Sequence, residues 1–513
     1  MYNHKRHAKH NHFVLAALAG ALFIATATGD TVPVQILDPN LQVTAVLKAG
    51  ITQPIGIVFL SANNYLVLEK SSGQVKRVVD GTIQAQPVLD LSVNFASERG
   101  LLSLVLHPKF PDTPYVYVRW TQSNTGADTG NIDEVEFLGN RIDRYIWNGN
   151  LLVFDRNIIA LRARQTDNIP VPGHPEAAVN PAENGNHNGG VMKFGPDGKL
   201  YHFSGDLGRR GALQNLPSGP FLTAPFVDDT FGGPMPDNAH FTGIIVRLND
   251  DGSAPQDNPF WGLGAAMGGE VGANLQKVYS FGHRNGFGMA FDPESGSLWA
   301  TENADDAFSE INRIVPGMNG GWIQIAGPVS RFLEFREIET AQFGGTMQQL
   351  RYPPTRIALT PALALFQMFT PPGSVYVDPD FSFRYEVGPA GTAFVDGNAL
   401  GPKYRGSLWI GSARSFEAVG GNGGSLYRFN LTRDRQHVDV SVDPRLADRV
   451  ADNMFRPQKF EGTETEALVI GRGFGTTPCI EQGPDGNLYV VSITDNTIYK
   501  ISRAIGREKE ASK

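Results

Sequence analysis

One pattern recurs along the chain: an alternating apolar run, a turn built from Gly, Asp or Asn, and a second β-rich run. It occurs at 54–60 with 65–68 and 73–78, at 100–110 with 115–120 and 140–146, and at 191–194 with 200–203 and 243–248. It returns at 286–293 with 297–301 and 310–315, at 393–395 with 406–410 and 424–429, and at 479–486 with 487–491 and 497–501. Six such units, each of three or four short strands, predict an all-β chain folded as a six-bladed β-propeller with long inserted loops. Radial closure is the solution that leaves no long free sheet edges. A two-sheet sandwich also supplies many strands, but it does not predict similar hairpins separated by connections of very unequal length. The long connections fall at 122–135, 161–185, 208–241 and 324–385, where insertions on a rigid scaffold can wall a site.

Residues 1–27 read as an export signal: Lys5, Arg6 and Lys9 precede an apolar stretch at 13–24 and the small residues Ala25, Thr26 and Ala27. The apolar stretch is short for a permanent anchor. The expectation is a propeller over 28–505, a flexible tail over 506–513, a periplasmic or secreted location, and no stable membrane span after cleavage. His4, His7, His10 and His12 look like a metal-binding tract but belong to this leader. The formal charge is −8 and no block of Lys or Arg stands out, so a nucleic-acid partner has no electrostatic footing. Cys479 is the one cysteine, which excludes an intrachain disulfide and makes a packed thiol the simplest reading.

Chemistry concentrates in 184–208. His187 stands among Asn186, Asn188, Gly189 and Gly190, residues that favour irregular backbone, so its imidazole is expected on a loop and not sunk in a core. The hairpin that follows turns at Pro196, Asp197 and Gly198 and brings Asp206 back beside His187. A carboxylate next to an imidazole orients it and raises its basicity; the plainer alternative is a structural hairpin with a surface histidine. Between glycines at 282 and 288, Arg284 suits an anionic or carbonyl oxygen, or else braces a loop carboxylate. The stretch 302–310 is oxygen-rich and fits a hard cation better than zinc. It lacks EF-hand spacing, and a solvated acidic turn explains it equally.

Taken in order, Gly100-Leu-Leu with His107-Pro-Lys-Phe110, His187 with Gly195-Pro-Asp-Gly198 and Gly205-Asp206, Arg247-Leu-Asn249 with Asp257-Asn-Pro259, Gly282-His-Arg-Asn285, Glu310-Ile-Asn312 and Asn319-Gly-Gly-Trp322 resemble the glucose/sorbosone dehydrogenase family. Its soluble quinoproteins use pyrroloquinoline quinone and calcium on a six-bladed propeller. The resemblance implies that His187 takes the proton of a sugar hydroxyl, that Asp206 supports it, and that Arg284 contacts the reacting quinone oxygen. It further implies cofactor contacts at Glu98, Asn285, Arg414 and Arg472, and calcium on the backbone carbonyls of Ala304 and Asp305. The chain departs from the family pattern at several points. Glu98 replaces a glutamine, Arg414 a lysine, and the Arg-x-Arg-Asp run of the sixth blade is replaced by 471–479, which retains Arg472. The implied activity is oxidation of an aldose or related alcohol, with electrons passed to an external acceptor. A calcium-dependent lactonase and a non-catalytic binding propeller are the competing expectations.

Overall fold

The computed structural model describes residues 33–164, 185–207, 212–215, 241–340, 357–413, 424–453 and 464–504. The leader 1–27, the tail 506–513 and Arg414 lie outside them. The strands join into six sheets, one for each of the recurring sequence units. The first comprises Pro54–Ser61, Asn64–Glu69, Gln74–Val79 and Thr82–Ile83, with Leu89–Asp90 beside it. In chain order the sheets begin with Pro54–Ser61, Leu101–Leu106, Met192–Phe194, Gly288–Phe291, Pro389–Phe394 and Cys479–Gln482. These lead strands touch one another in a closed ring, so the architecture is an all-β propeller.

The ring is fastened by the N-terminal segment. Leu41–Leu47 pairs antiparallel with Thr497–Arg503, from Leu41 opposite Arg503 to Leu47 opposite Ile498, while Gln35–Ile36 adds an edge strand to the preceding sheet. Second strands lie in the middle of sheets that pack face to face, so both of their faces are covered. Leu200–Ser204, Leu298–Glu302, Leu408–Ser412 and Leu488–Ser492 are accordingly buried along their whole length. The alternation expected of a half-buried strand is therefore lost in them.

A polar contact joins two of the lead strands. Lys193 of the third sheet donates to Glu481 of the sixth at 2.8 Å, and in the ring order these two sheets stand opposite each other. Lys193→Met is expected to lower stability by about 1 kcal/mol, the ordinary worth of a partly exposed pair, read as a lower urea midpoint at unchanged slope. Cys479 is partly buried at the start of the sixth lead strand. Burial, then the neighbouring Glu481, pushes its thiol pKa up to about 11. Because the thiolate is the reactive form, alkylation of the native protein near pH 8 should run roughly 200-fold slower than for a free cysteine. Mass-spectrometric labelling at free-thiol rates would contradict that environment.

Two insertions carry the helices that matter for packing. Trp261–Met267 and Gly269–Leu275 precede the outer strand Val278–Phe281 of the third sheet. The second insertion carries Phe332–Thr340 and Pro361–Gln367. The latter starts on Thr360, whose hydroxyl accepts from the Leu363 amide at 3.2 Å, with Pro361 in the first turn. Phe332, Phe335 and Ile338 share one helix face and pack against Trp322, Ile323 and Ile325 in a separate apolar cluster. Among the described residues no helix is long and apolar enough to cross a membrane.

Candidate active site

Antiparallel sheets put the start of each lead strand and the end of each second strand at the same end of the molecule. Glu98, His187, Arg284 and Asn285 precede the lead strands of the second, third and fourth sheets; Asp206 and Asn303 to Asp305 follow second strands. The repeated hairpin therefore gathers residues distant in sequence around one mouth.

His187 is held with a φ of 54°, in the left-handed region. Its Nδ1 lies 2.6 Å from Asp206 Oδ1. A carboxylate oxygen accepts, so Nδ1 carries the proton and the neutral ring keeps its lone pair on Nε2. The other carboxylate oxygen of Asp206 accepts from the Trp322 indole at 2.8 Å, which fixes the carboxylate plane. Gly205 lets the two segments meet: a Cβ there would lie 2.2 Å from the His187 carbonyl oxygen and 2.7 Å from Asn285 Oδ1. The loop origin of His187 matches expectation, but its exposure does not. The residue is only 4% exposed and Asp206 is fully buried, because Leu207 bonds back to the His187 carbonyl at 3.2 Å and Trp322 closes over the carboxylate.

Arg284 joins the same unit through its backbone, whose carbonyl accepts from the Asp206 amide at 2.7 Å. Its guanidinium donates to the carbonyls of Asn303 at 2.9 Å and Ala304 at 2.5 Å, and to the Asp305 carboxylate at 2.7 Å. It also sits 5.6 Å from the centre of the Trp322 ring. Burial alone would lower its pKa, but Asp305, Asp206, Glu386 and Glu339 outweigh that and leave it raised, so the cation is permanent. Its Nε is buried without a hydrogen-bond partner, a donor suited to a quinone or carboxylate oxygen. The alternative of a brace for a loop carboxylate is thus literally what the side chain does, alongside its place next to the histidine pair.

Glu98 and Asn285 meet: Asn285 Nδ2 donates to Glu98 Oε2 at 3.2 Å, and Glu98 Oε2 accepts from the Asn188 amide at the same distance. Asn285 Oδ1 accepts from the Gly189 amide at 3.1 Å, so this pair ties the His187 loop to the Arg284 loop. Ala304 and Asp305 also belong to the site. The carbonyls turned to a cation are those of Asn303 and Ala304, Asp305 contributes its carboxylate, and the cation they meet is Arg284. The donor set is all oxygen and so suits a hard cation. Among the described residues no group of three His, Cys, Asp or Glu is arranged to hold a metal. Arg472 ends the fourth strand out from the axis in the fifth sheet, opposite Gln35.

Several participants were not singled out from sequence. Glu302 takes the Nδ1 edge of His283 at 2.9 Å and the backbone amide of Arg284, fixing the Arg284 turn. Lys70 donates to the carbonyls of Phe95 and Ser97 at 3.1 and 2.8 Å beneath Glu98; burial lowers its pKa to about 8 despite Glu98 nearby. Trp322 signalled itself only as part of a motif. Glu339, in the middle of the 324–385 insertion, gave no signal.

This is a propeller whose mouth holds an acid-supported histidine beside a buried arginine, a site suited to moving a proton while stabilising negative charge. The sequence model described as glucose/sorbosone dehydrogenase matches residues 51–149 and 176–330, and the chain belongs to that family. It is 28% identical over 285 residues to quinoprotein glucose dehydrogenase B of Acinetobacter calcoaceticus, covering 55% of this chain and 52% of that protein. It is 25% identical over 309 residues to the aldose sugar dehydrogenase YliI of Escherichia coli (strain K12), covering 60% and 65% respectively. The chain thus matches about half to two thirds of the length of these relatives. The structure of the PQQ-bound form of an aldose sugar dehydrogenase from Streptomyces coelicolor shares the fold, with 21% identity, a TM-score of 0.53 and coverage of 92% of this chain and 98% of that one.

Proposed function

We propose that this chain is an exported quinoprotein dehydrogenase that oxidises the CH–OH carbon of an aldose or related alcohol, using pyrroloquinoline quinone and calcium. On this reading each of the six sheets is one blade. The observation that carries it is the coupling of the His187–Asp206 pair at 2.6 Å to the Arg284 backbone at 2.7 Å, which sets a base and a cation at one mouth.

His187 Nε2 takes the proton of the substrate hydroxyl, and Asp206 holds the ring in the tautomer that makes this nitrogen the base. As the imidazole becomes positive, the buried Asp206 carboxylate stabilises it, and the Trp322 indole keeps that carboxylate from rotating. Pyrroloquinoline quinone, when bound, supplies the acceptor for the hydride that leaves the same carbon. Arg284 stabilises negative charge on the acceptor side, with Asn285 and Glu98 orienting polar edges. Calcium, as the resemblance implies, would be held by the backbone carbonyls of Ala304 and Asp305 and would act as a Lewis acid. Asp305 is placed to neutralise whichever cation stands there. Electrons leave to an external acceptor, and the leader at 1–27 directs export to the periplasm or medium.

The test is reconstitution of the purified protein with the quinone and calcium, followed by aldose-dependent reduction of an artificial dye and the matching change in the quinone spectrum. Turnover of lactones without quinone would instead support the hydrolase reading, in which His187 activates water. Neither uptake nor turnover would leave a binding propeller.

A further inference from the structure

We propose that Glu339 is a positioning residue: it fixes the turn at Asn303 to Ala307 and, through that turn, the guanidinium of Arg284. The inserted helix Phe332–Thr340 buries Phe332, Phe335, Ile338 and Glu339. Positions spaced by three and four residues make one face, so a carboxylic acid stands where the pattern calls for an apolar side chain. Glu339 is 1% exposed, and burying a carboxyl group is unfavourable unless it meets partners.

The partners it meets are specific. One oxygen accepts from the amides of Asp306 and Ala307, each at 3.0 Å. The other oxygen is buried without a hydrogen-bond partner among the described residues. The acid is therefore retained for what its first oxygen does. Those two amides directly follow Asn303, Ala304 and Asp305, the three residues whose oxygens grip Arg284. Glu339 holds the turn from the insertion side while Arg284 holds it from the mouth, and without Glu339 two buried amides lose their acceptor. Burial and the neighbouring Asp305 and Asp306 raise the pKa of Glu339 well above the ordinary carboxyl value. The side chain acts through its acceptor oxygen, while the Asp305 carboxylate is the group that pairs with Arg284. Of the acidic groups facing this turn, Asp305, Asp306 and Glu386 are the others.

The inference rests on the reading of Arg284 as a cofactor contact, and two measurements separate their failures. In the protein without added quinone, Glu339→Ala is expected to raise hydrogen exchange at Asp306 and Ala307 at least tenfold, while Glu339→Gln, which keeps an acceptor oxygen in place, stays near wild type. Quinone titration by fluorescence quenching is expected to show at least tenfold weaker binding for Glu339→Ala and rescue by Glu339→Gln. Exchange at these two amides unchanged in Glu339→Ala overturns the proposal, as does a Glu339→Gln variant as damaged as the alanine one. A lower melting temperature with intact quinone affinity would reduce Glu339 to a packing role and also overturn it. Absence of quinone binding by the wild type defeats the cofactor reading alone, because the exchange measurement still decides the role of Glu339.

Discussion

His187→Ala is expected to lower kcat for aldose oxidation by about a thousandfold, within the range that a positioned general base contributes, while quinone binding stays within a few-fold of wild type. Its side chain is tied to Asp206 and not to the Arg284 guanidinium, so the alanine variant removes the base without disturbing the cation. Asp206→Asn is the sharper companion. The amide is nearly isosteric, but it replaces one acceptor oxygen by a donating NH2, so His187 and the Trp322 indole can no longer each donate to an oxygen of their own. Either the ring adopts the tautomer with its proton on Nε2, or the indole loses its partner. A loss of the same order as His187→Ala is expected, in kcat more than in KM, because the defect is in the transition state. Steady-state dye reduction measures both, and a His187→Ala enzyme turning over at the wild-type rate would falsify the base assignment.

How much of this was legible in the sequence depends on whether a feature is local. The strand pattern was legible because packed sheets force it: second strands such as Leu298–Glu302 are buried on both faces, so apolar residues dominate them and a polar one there needs a partner, as Glu302 has in His283. The approach of Asp206 to His187 was legible because a hairpin returns the chain to its starting edge. Not legible was the burial of His187, which depends on Trp322 closing over Asp206 from more than a hundred residues away, at a separation of 116. The same limit applies to Ala304. Sequence marks its neighbourhood as oxygen-rich, but which oxygens turn toward a cation is set by the backbone path, and that path selects Asn303 and Ala304 with the Asp305 side chain.

These two kinds of information explain why the site is more tightly connected than a list of motifs conveys. The His187 loop and the Arg284 loop are joined at Asn285 to Gly189, at Asp206 to the Arg284 carbonyl, and through Glu98 to Asn188 and Asn285. Each link is a backbone amide or carbonyl meeting one side chain or another backbone group, so the loops are fixed relative to each other before any ligand arrives. Preorganisation of that kind is what makes electrostatic stabilisation effective, since little reorganisation is left for the reaction.

Arg284 is where stability and activity should separate most clearly. Removing the guanidinium in Arg284→Ala leaves Asp305 buried without its cation and strips the donors from two carbonyls. A destabilisation of about 3–5 kcal/mol is expected, the usual consequence of breaking one side of a buried pair. Arg284→Lys keeps the charge but not the planar fork that reaches Asn303, Ala304 and Asp305 together. Its melting temperature should therefore fall much less than that of the alanine variant, whereas kcat is expected to drop by about a hundredfold, as when one preorganised donor is lost from a developing oxyanion. Thermal unfolding and steady-state kinetics on the same preparations decide it. A lysine variant with wild-type kcat would show that charge alone suffices and the fork is incidental. An alanine variant as stable as wild type would mean that Asp305 is not held as an anion by this arginine, and the electrostatic account of the mouth would have to be rebuilt without it.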